Sequence, residues 1–213
     1  MFLTRRHIIT LLFCAVPLLV TPMPPAAAAA DSAAADREVA ACAEAMWQNL
    51  AADDLGEAER RDRLASTIAE STDTALLGRL ALGRHWRTLS DEQQTRYSEL
   101  FPAFITHLLA ARLIGATGKI EGGFDDMFEI TGAENASDED VIVHSEITRA
   151  GNQPPVAVDW RLRDDGDGLA IIDLAIDQVS LLVSQRSEFA AVIERGSIDD
   201  LLQQLENGPK AES

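Results

Sequence analysis

Residues 155–176, PVAVDWRLRDDGDGLAIIDLAI, decide the fold. Val156, Val158, Trp160 and Leu162 fall on one parity, and Asp159, Arg161 and Arg163 on the other. A period of two with apolar residues on one side is the pattern of a strand covered on one face only. After the glycine- and aspartate-rich DDGDG at 164–168 the alternation resumes with Ile172, Leu174 and Ile176, so the stretch reads as a hairpin of two antiparallel strands. The same period appears upstream, where Phe128 and Ile130 alternate with Glu129 and Thr131. Val141, Val143 and Ile147 likewise alternate with Ile142, His144, Glu146 and Thr148. These segments form an antiparallel sheet with one apolar face.

Outside the sheet the period is helical. Val39, Cys42, Ala43, Met46, Trp47 and Leu50 mark a first helix from Asp36 to Leu50, and Leu64 and Ile68 mark a second that begins near Glu57. Leu76, Leu77, Leu80 and Leu82 share a third, with Gly83–Trp86 as the junction after it. Ser90 with Gln93 three residues on is a capping-box signature, and it opens a long helix bearing Tyr97, Leu100, Phe101, Phe104, Ile105, Leu108 and Leu109. Pro102 should kink that helix. Gly115 and Gly118 mark the change to strand period. The chain closes with a helix from about Gln178 to Arg195, stopped by Gly196, and a short helix capped by Ser197. Helices, then sheet, then helices, without βαβ alternation, define an α+β domain.

The first thirty residues have another purpose. Arg5 and Arg6 precede an apolar run from Ile8 to Val20, which Pro17 interrupts and which is shorter than the ~20 residues a bilayer span needs. This is an export leader, with the arginine pair suggesting the twin-arginine type. Ala28–Ala30 supplies the cleavage site, with Ala33–Ala35 a second small-residue candidate. Residues 31–206 then form a single domain, and 207–213 a polar tail. Cys14 leaves with the leader, and the remaining Cys42 reads as a core residue on the first helix. One cysteine closes no internal disulfide, so stability rests on the core. The net charge of the whole chain is −17, and loss of the two leader arginines makes it about −19. That balance argues against nucleic acid as a partner.

Few residues suggest chemistry. There is no G-x-S-x-G turn, no phosphate-binding glycine loop and no dinucleotide fingerprint, and His85, His107 and His144 stand singly without metal-ligand spacing. No cofactor, no metal site and no enzymatic activity are expected, with a hydrolase of envelope lipids as the lesser alternative. The acidic turn at 164–168 resembles a calcium loop in composition only. Ser180, Ser184 and Ser187 share one side of the penultimate helix, where a hydroxyl usually bonds back to a carbonyl. Beside them run Val179, Leu182, Val183 and Phe189, an apolar stripe. Such faces can fill one core or enclose a cavity.

The order of residues favours the cavity. The run from Gly168, GLAIIDLAIDQVSLLVSQRSEFAAVIERGSIDDLLQQL, resembles the MlaC family of periplasmic phospholipid shuttles, also called the toluene-tolerance auxiliary family. The resemblance is carried by Asp173, Ile176, Val179, Ser180, Leu181, Arg186, Phe189, Gly196 and Leu201. The segment from Leu82 to Ser90, followed by Gln93, Phe101 and Leu108, is similar to a second motif of that family. The chain departs from the pattern at Gln178, where the family has glycine, and at Gln185, where it has tyrosine. An aromatic is also replaced by Ala170, and a tyrosine is missing around Ala111–Arg112.

The resemblance implies a curved antiparallel sheet wrapped by N- and C-terminal helices around an apolar lipid pocket, as in cystatin-like and nuclear-transport-factor-like folds. It implies a carrier of phospholipid, or of a hopanoid as in a related branch. The partners would be an outer-membrane lipid-extracting lipoprotein complex and an inner-membrane ABC transporter complex. From the helices, Leu80, Phe101, Phe104, Leu108, Val179, Val183 and Phe189 are the expected lining. From the sheet, Val143, Val158, Trp160, Leu174 and Ile176 complete it. Arg186 is expected to pair with a nearby carboxylate.

Overall fold

The computed structural model describes residues 32–52, 54–117, 122–149, 153–164 and 168–209. The leader with the cleavage site at Ala28–Ala30, Gly118, the tip of the 164–168 turn and the end of the polar tail lie outside the described residues, whereas the second candidate site, Ala33–Ala35, lies within the first helix. Helix α1 (Ser32–Leu50) begins four residues ahead of the expected Asp36 and buries Ala35 in addition to Val39, Cys42, Ala43 and Met46. Helices α2 (Glu57–Ser71) and α3 (Thr74–Leu82) follow, and Asp73 caps α3 by accepting from the Leu76 amide at 2.8 Å. A 3₁₀ turn, Gly83–Thr88, leads to α4 (Asp91–Thr117).

The capping box at the start of α4 is reciprocal. The Gln93 amide donates to Ser90 Oγ at 3.3 Å, and the Ser90 amide donates to Gln93 Oε1 at 3.1 Å. The helix continues through Pro102 and Gly115. A four-residue helix, α5 (Phe124–Met127), then turns the chain into the sheet.

The sheet is an antiparallel meander in the order β1 (Phe128–Asn135), β2 (Asp140–Ile147), β3 (Val156–Asp164), β4 (Leu169–Ile176) and β5 (Val179–Ser180). Val143 faces Trp160, Ser145 faces Val158, and Trp160 faces Leu174, so the apolar parities of β2, β3 and β4 meet on one face. The register shifts twice, between Ile130 and Gly132 in β1 and opposite Arg161–Leu162 in β4. An extra residue of this kind bends and twists its strand. At the second shift both Ile171 and Ile172 are buried, which strict alternation does not allow.

The final helices are α6 (Leu181–Arg195) and α7 (Ile198–Glu206), the latter capped by Ser197 through the Asp200 amide at 3.2 Å. The expected helix start at Gln178 is corrected. Asp177 and Gln178 form a two-residue turn, Val179–Ser180 pairs with β4, and the helix begins only at Leu181. Helix α1 packs on β1, β2 and β4; α2 lies against α1 and α4; α6 covers β4 and α3, and α7 covers α4 and α6. On the opposite face of the sheet, buried Asp140 receives Arg161 and Arg163 from β3, the latter through Nε at 2.6 Å. These hydrogen bonds and charges hold the Asp140 carboxyl below the usual carboxylate range, Arg163 contributing most.

Candidate functional site

Two apolar cavities lie between the sheet and its helices. The larger has about 890 Å³ of empty space, counting interstices and its open mouth. Its helical side is Ala43, Met46, Trp47 and Leu50 of α1 with Leu113 near the end of α4; its sheet side includes Val156, Val158, Trp160 and Ile176. An arc of aromatic rings bounds it. Trp47 lies 6.3 Å from Phe124, Phe124 stacks on Phe128 at 5.1 Å, and Phe128 meets Trp160 edge-on at 6.4 Å. The indole is fixed from behind, since Trp160 Nε1 donates to Ser145 Oγ at 2.8 Å and Ser145 Oγ donates to the Val158 carbonyl at 3.0 Å. A buried Trp needs such a partner to leave its ring wholly apolar toward a ligand. Thr148 and Arg149 are the polar lining residues, and Arg149 donates through Nε and an Nη to the Pro154 carbonyl at 3.1 and 3.0 Å.

The smaller cavity, about 490 Å³ on the same measure, lies between α2, α3, α4, α6 and β4. Phe101, Ile105 and Leu109 come from α4, and Leu181, Leu182 and Gln185 from α6. Met46 and Leu174 line both cavities and form the partition between them.

The sequence-derived lining residues divide into three groups. Val158, Trp160 and Ile176 border the larger cavity, Phe101 the smaller, and Leu174 both. Phe104, Leu108, Val143 and Phe189 are buried core, Phe189 at the centre of a ring cluster with Tyr97, Phe101 and Phe104. Leu80 is half-buried, and its carbonyl accepts from Arg186 Nε at 2.9 Å. Arg186 therefore supports the end of α3 where a carboxylate partner was expected.

Val179 and Val183 overturn the expectation placed on them: they are 59% and 55% exposed. The cause is phase. Because the turn at Asp177–Gln178 delays the helix, its inward stripe is Leu181, Leu182, Gln185 and Phe189, and the two valines face solvent. The wall residues of α1 and α5 were legible as apolar but not as lining, because α5 is a single turn without measurable periodicity. Ser145 had one signal, its inward parity between Val143 and Ile147.

The three serines are part of the helix's own bonding. Ser180 caps α6, accepting from the Val183 amide at 3.0 Å while its hydroxyl donates to Asp173, which also accepts from the Leu182 amide at 2.9 Å. Ser184 and Ser187 donate back to the carbonyls of Ser180 and Val183 at 2.8 and 3.0 Å. Buried Cys42 has its thiol pKa raised, chiefly by desolvation, which suppresses the reactive thiolate. Among the described residues no helix is long and apolar enough to cross a membrane, and no cluster of metal-ligating side chains occurs.

An open antiparallel sheet closed by helices over apolar cavities makes this an α+β domain with interior space between its layers. The MlaC protein family matches residues 40–207, and the chain belongs to that family. Among solved structures, a phospholipid-binding protein from Ralstonia solanacearum, in complex with a phospholipid, is similar with a TM-score of 0.63 and 24% identity. The similarity covers 80% of this chain and 94% of that one. No curated protein sequence matches.

Proposed function

We propose that this chain is a passive periplasmic phospholipid carrier that takes an acyl chain into the larger cavity and leaves the head group at its mouth. The observation that carries this reading is the aromatic arc from Trp47 to Trp160, which encloses an almost wholly apolar space with Arg149 and Thr148 among its lining. Family membership and the phospholipid in the Ralstonia solanacearum protein support it. Exposing a sixteen-carbon chain to water costs roughly 10 kcal/mol or more, at about 0.8 kcal/mol per methylene. A cavity that replaces the bilayer removes most of that cost, so the carrier needs no energy source of its own and direction comes from its partners. Those partners are an outer-membrane lipid-extracting complex and an inner-membrane ABC transporter complex.

The export leader suits this location, and burial of Ala35 within α1 favours cleavage after Ala30 over cleavage after Ala35. No catalytic step is assigned, because the hydroxyl of Ser180 is already held by the helix it caps. Native mass spectrometry of protein purified from the periplasm should show one copurified phospholipid that exchanges with phospholipid vesicles. Protein that is folded, lipid-free and unable to extract phospholipid from vesicles would overturn the reading; a bound polycyclic lipid would redirect it.

A further inference from the structure

Among the described residues, a single charged side chain lines the larger cavity, and it is a cation. Arg149 lies just past the end of β2, half-buried. No Asp or Glu lines that space, although acidic residues outnumber basic ones 35 to 18 along the chain. The arginine is fixed from both sides. The neighbouring Thr148 amide donates to the Met127 carbonyl at 2.8 Å, which anchors the strand end. Arg149 Nε and Nη2 both donate to the Pro154 carbonyl ahead of β3, at 3.1 and 3.0 Å. A carbonyl carries no formal charge, so the guanidinium is held without being neutralised, and Nη1 makes no hydrogen bond to a described residue. Arg61, Arg63, Arg84 and Arg96 differ, since each meets a carboxylate within 2.9 Å. A partly desolvated guanidinium with an edge left open suits an oxyanion, which it holds through charge-assisted hydrogen bonds.

We propose that Arg149 is the specificity residue of the carrier: it binds the phosphodiester of the head group and so selects phosphate-bearing lipids over neutral ones, a diacylglycerol or a polycyclic hydrocarbon alike. The inference rests on the carrier reading above and adds the ligand class to it. The apolar lining cannot make this choice, because a diacylglycerol and a phospholipid with the same chains bury the same surface there. The alcohol beyond the phosphate is left unread. No carboxylate lines the cavity to receive an ammonium, and no second cation to receive a further anion, so phosphatidylethanolamine and phosphatidylglycerol are taken alike.

The test incubates delipidated mature protein with dioleoylphosphatidylcholine vesicles that hold equal minor amounts of dioleoylphosphatidylethanolamine, dioleoylphosphatidylglycerol and dioleoylglycerol. Bound lipid is then counted by native mass spectrometry. The wild-type protein is expected to take each minor phospholipid about tenfold over dioleoylglycerol, and the two phospholipids within about twofold of each other. Arg149→Gln keeps an N–H donor for the Pro154 carbonyl and removes the charge. It is expected to lower the phospholipid-to-diacylglycerol ratio about tenfold, with Tm unchanged and diacylglycerol still bound. Arg149→Lys, which keeps the charge, is expected to retain most of the preference. If Arg149→Gln does not fold, a crystal structure of the wild-type phospholipid complex decides, with a phosphate oxygen expected within about 3.2 Å of Nη1. Equal uptake in the wild type, a ratio that survives Arg149→Gln, an equal loss in both variants, a strong preference between the two phospholipids, or a phosphate beyond reach of Arg149 each overturns the proposal while the carrier reading stands. Wild-type protein that takes up no lipid at all overturns both.

Discussion

At the turn between β4 and β5, Asp177 and Gln178 have φ of 47° and 68°. Two successive positive φ values are the sign pattern of a type I′ turn, which suits a hairpin but costs a residue with a Cβ about 1–2 kcal/mol. Asp177 offsets its share, since its amide donates to the Ala157 carbonyl at 2.9 Å and its carboxylate accepts from the Ala157 amide at 3.4 Å. Gln178 is exposed and has no such compensation in its position. Gln178→Gly is therefore expected to stabilise the protein by about 1 kcal/mol in urea melts. Asp140 has the opposite character. Its folded-state pKa is depressed by Arg163 and Arg161, so its contribution is complete above the unfolded value near 4 and is lost as pH falls through the folded one. Asp140→Asn should cost about 2 kcal/mol at pH 7 and flatten the loss of stability below about pH 4, measured by urea melts at a series of pH values.

At the scale of elements, α3 and α4 approach closely because Gly78 lacks a side chain. A Cβ there would meet Phe101 at 3.0 Å and Tyr97 at 3.2 Å, and the Tyr97 hydroxyl donates to the Gly78 carbonyl at 3.1 Å. Both rings are fully buried, stacked at 5.2 Å, and pinned by Phe189, so neither can retreat. Burial also raises the pKa of Tyr97, which keeps the donating proton in place. Alanine ordinarily improves a helix over glycine by about 0.5–1 kcal/mol, but overpacking costs about 1–3. Gly78→Ala should thus lower Tm by about 2–4 °C. This contact was invisible in the sequence, where Gly78 reads as a weak point in a leucine-rich helix. Periodicity did expose the long elements: α1, α2, α4 and the four longer strands each repeat their pattern over several turns or pleats. It failed where an element is too short to show a period, as for α5 and β5. It also failed where one extra residue resets the phase, as for Ile172 in β4 and for Val179 and Val183 after the Asp177–Gln178 turn. Those phase errors fall at the cavity wall, and so the site was less legible than the fold.

The whole molecule joins a strongly acidic chain, at −17, to an interior with space left in it. A net charge of this sign and size favours solubility and disfavours approach to anionic surfaces. Interior space alone could be imperfect packing, and a filling substitution separates the two readings. Leu113, half-buried near the end of α4, borders the larger cavity opposite the sheet. Because it is partly exposed, Leu113→Trp can place the larger ring in the cavity without displacing the packed rings around Phe189. If the space is a lipid site, copurified phospholipid should fall several-fold while Tm holds or rises by a few degrees, since the indole takes the place of the chain. If it is a packing defect, the same substitution gains stability and changes lipid content not at all, because none was held there. Measuring lipid by native mass spectrometry and Tm by calorimetry on one preparation distinguishes these outcomes. A fall in both would mean that the helix end had been pushed off the sheet, and a smaller Leu113→Phe would then be the informative variant.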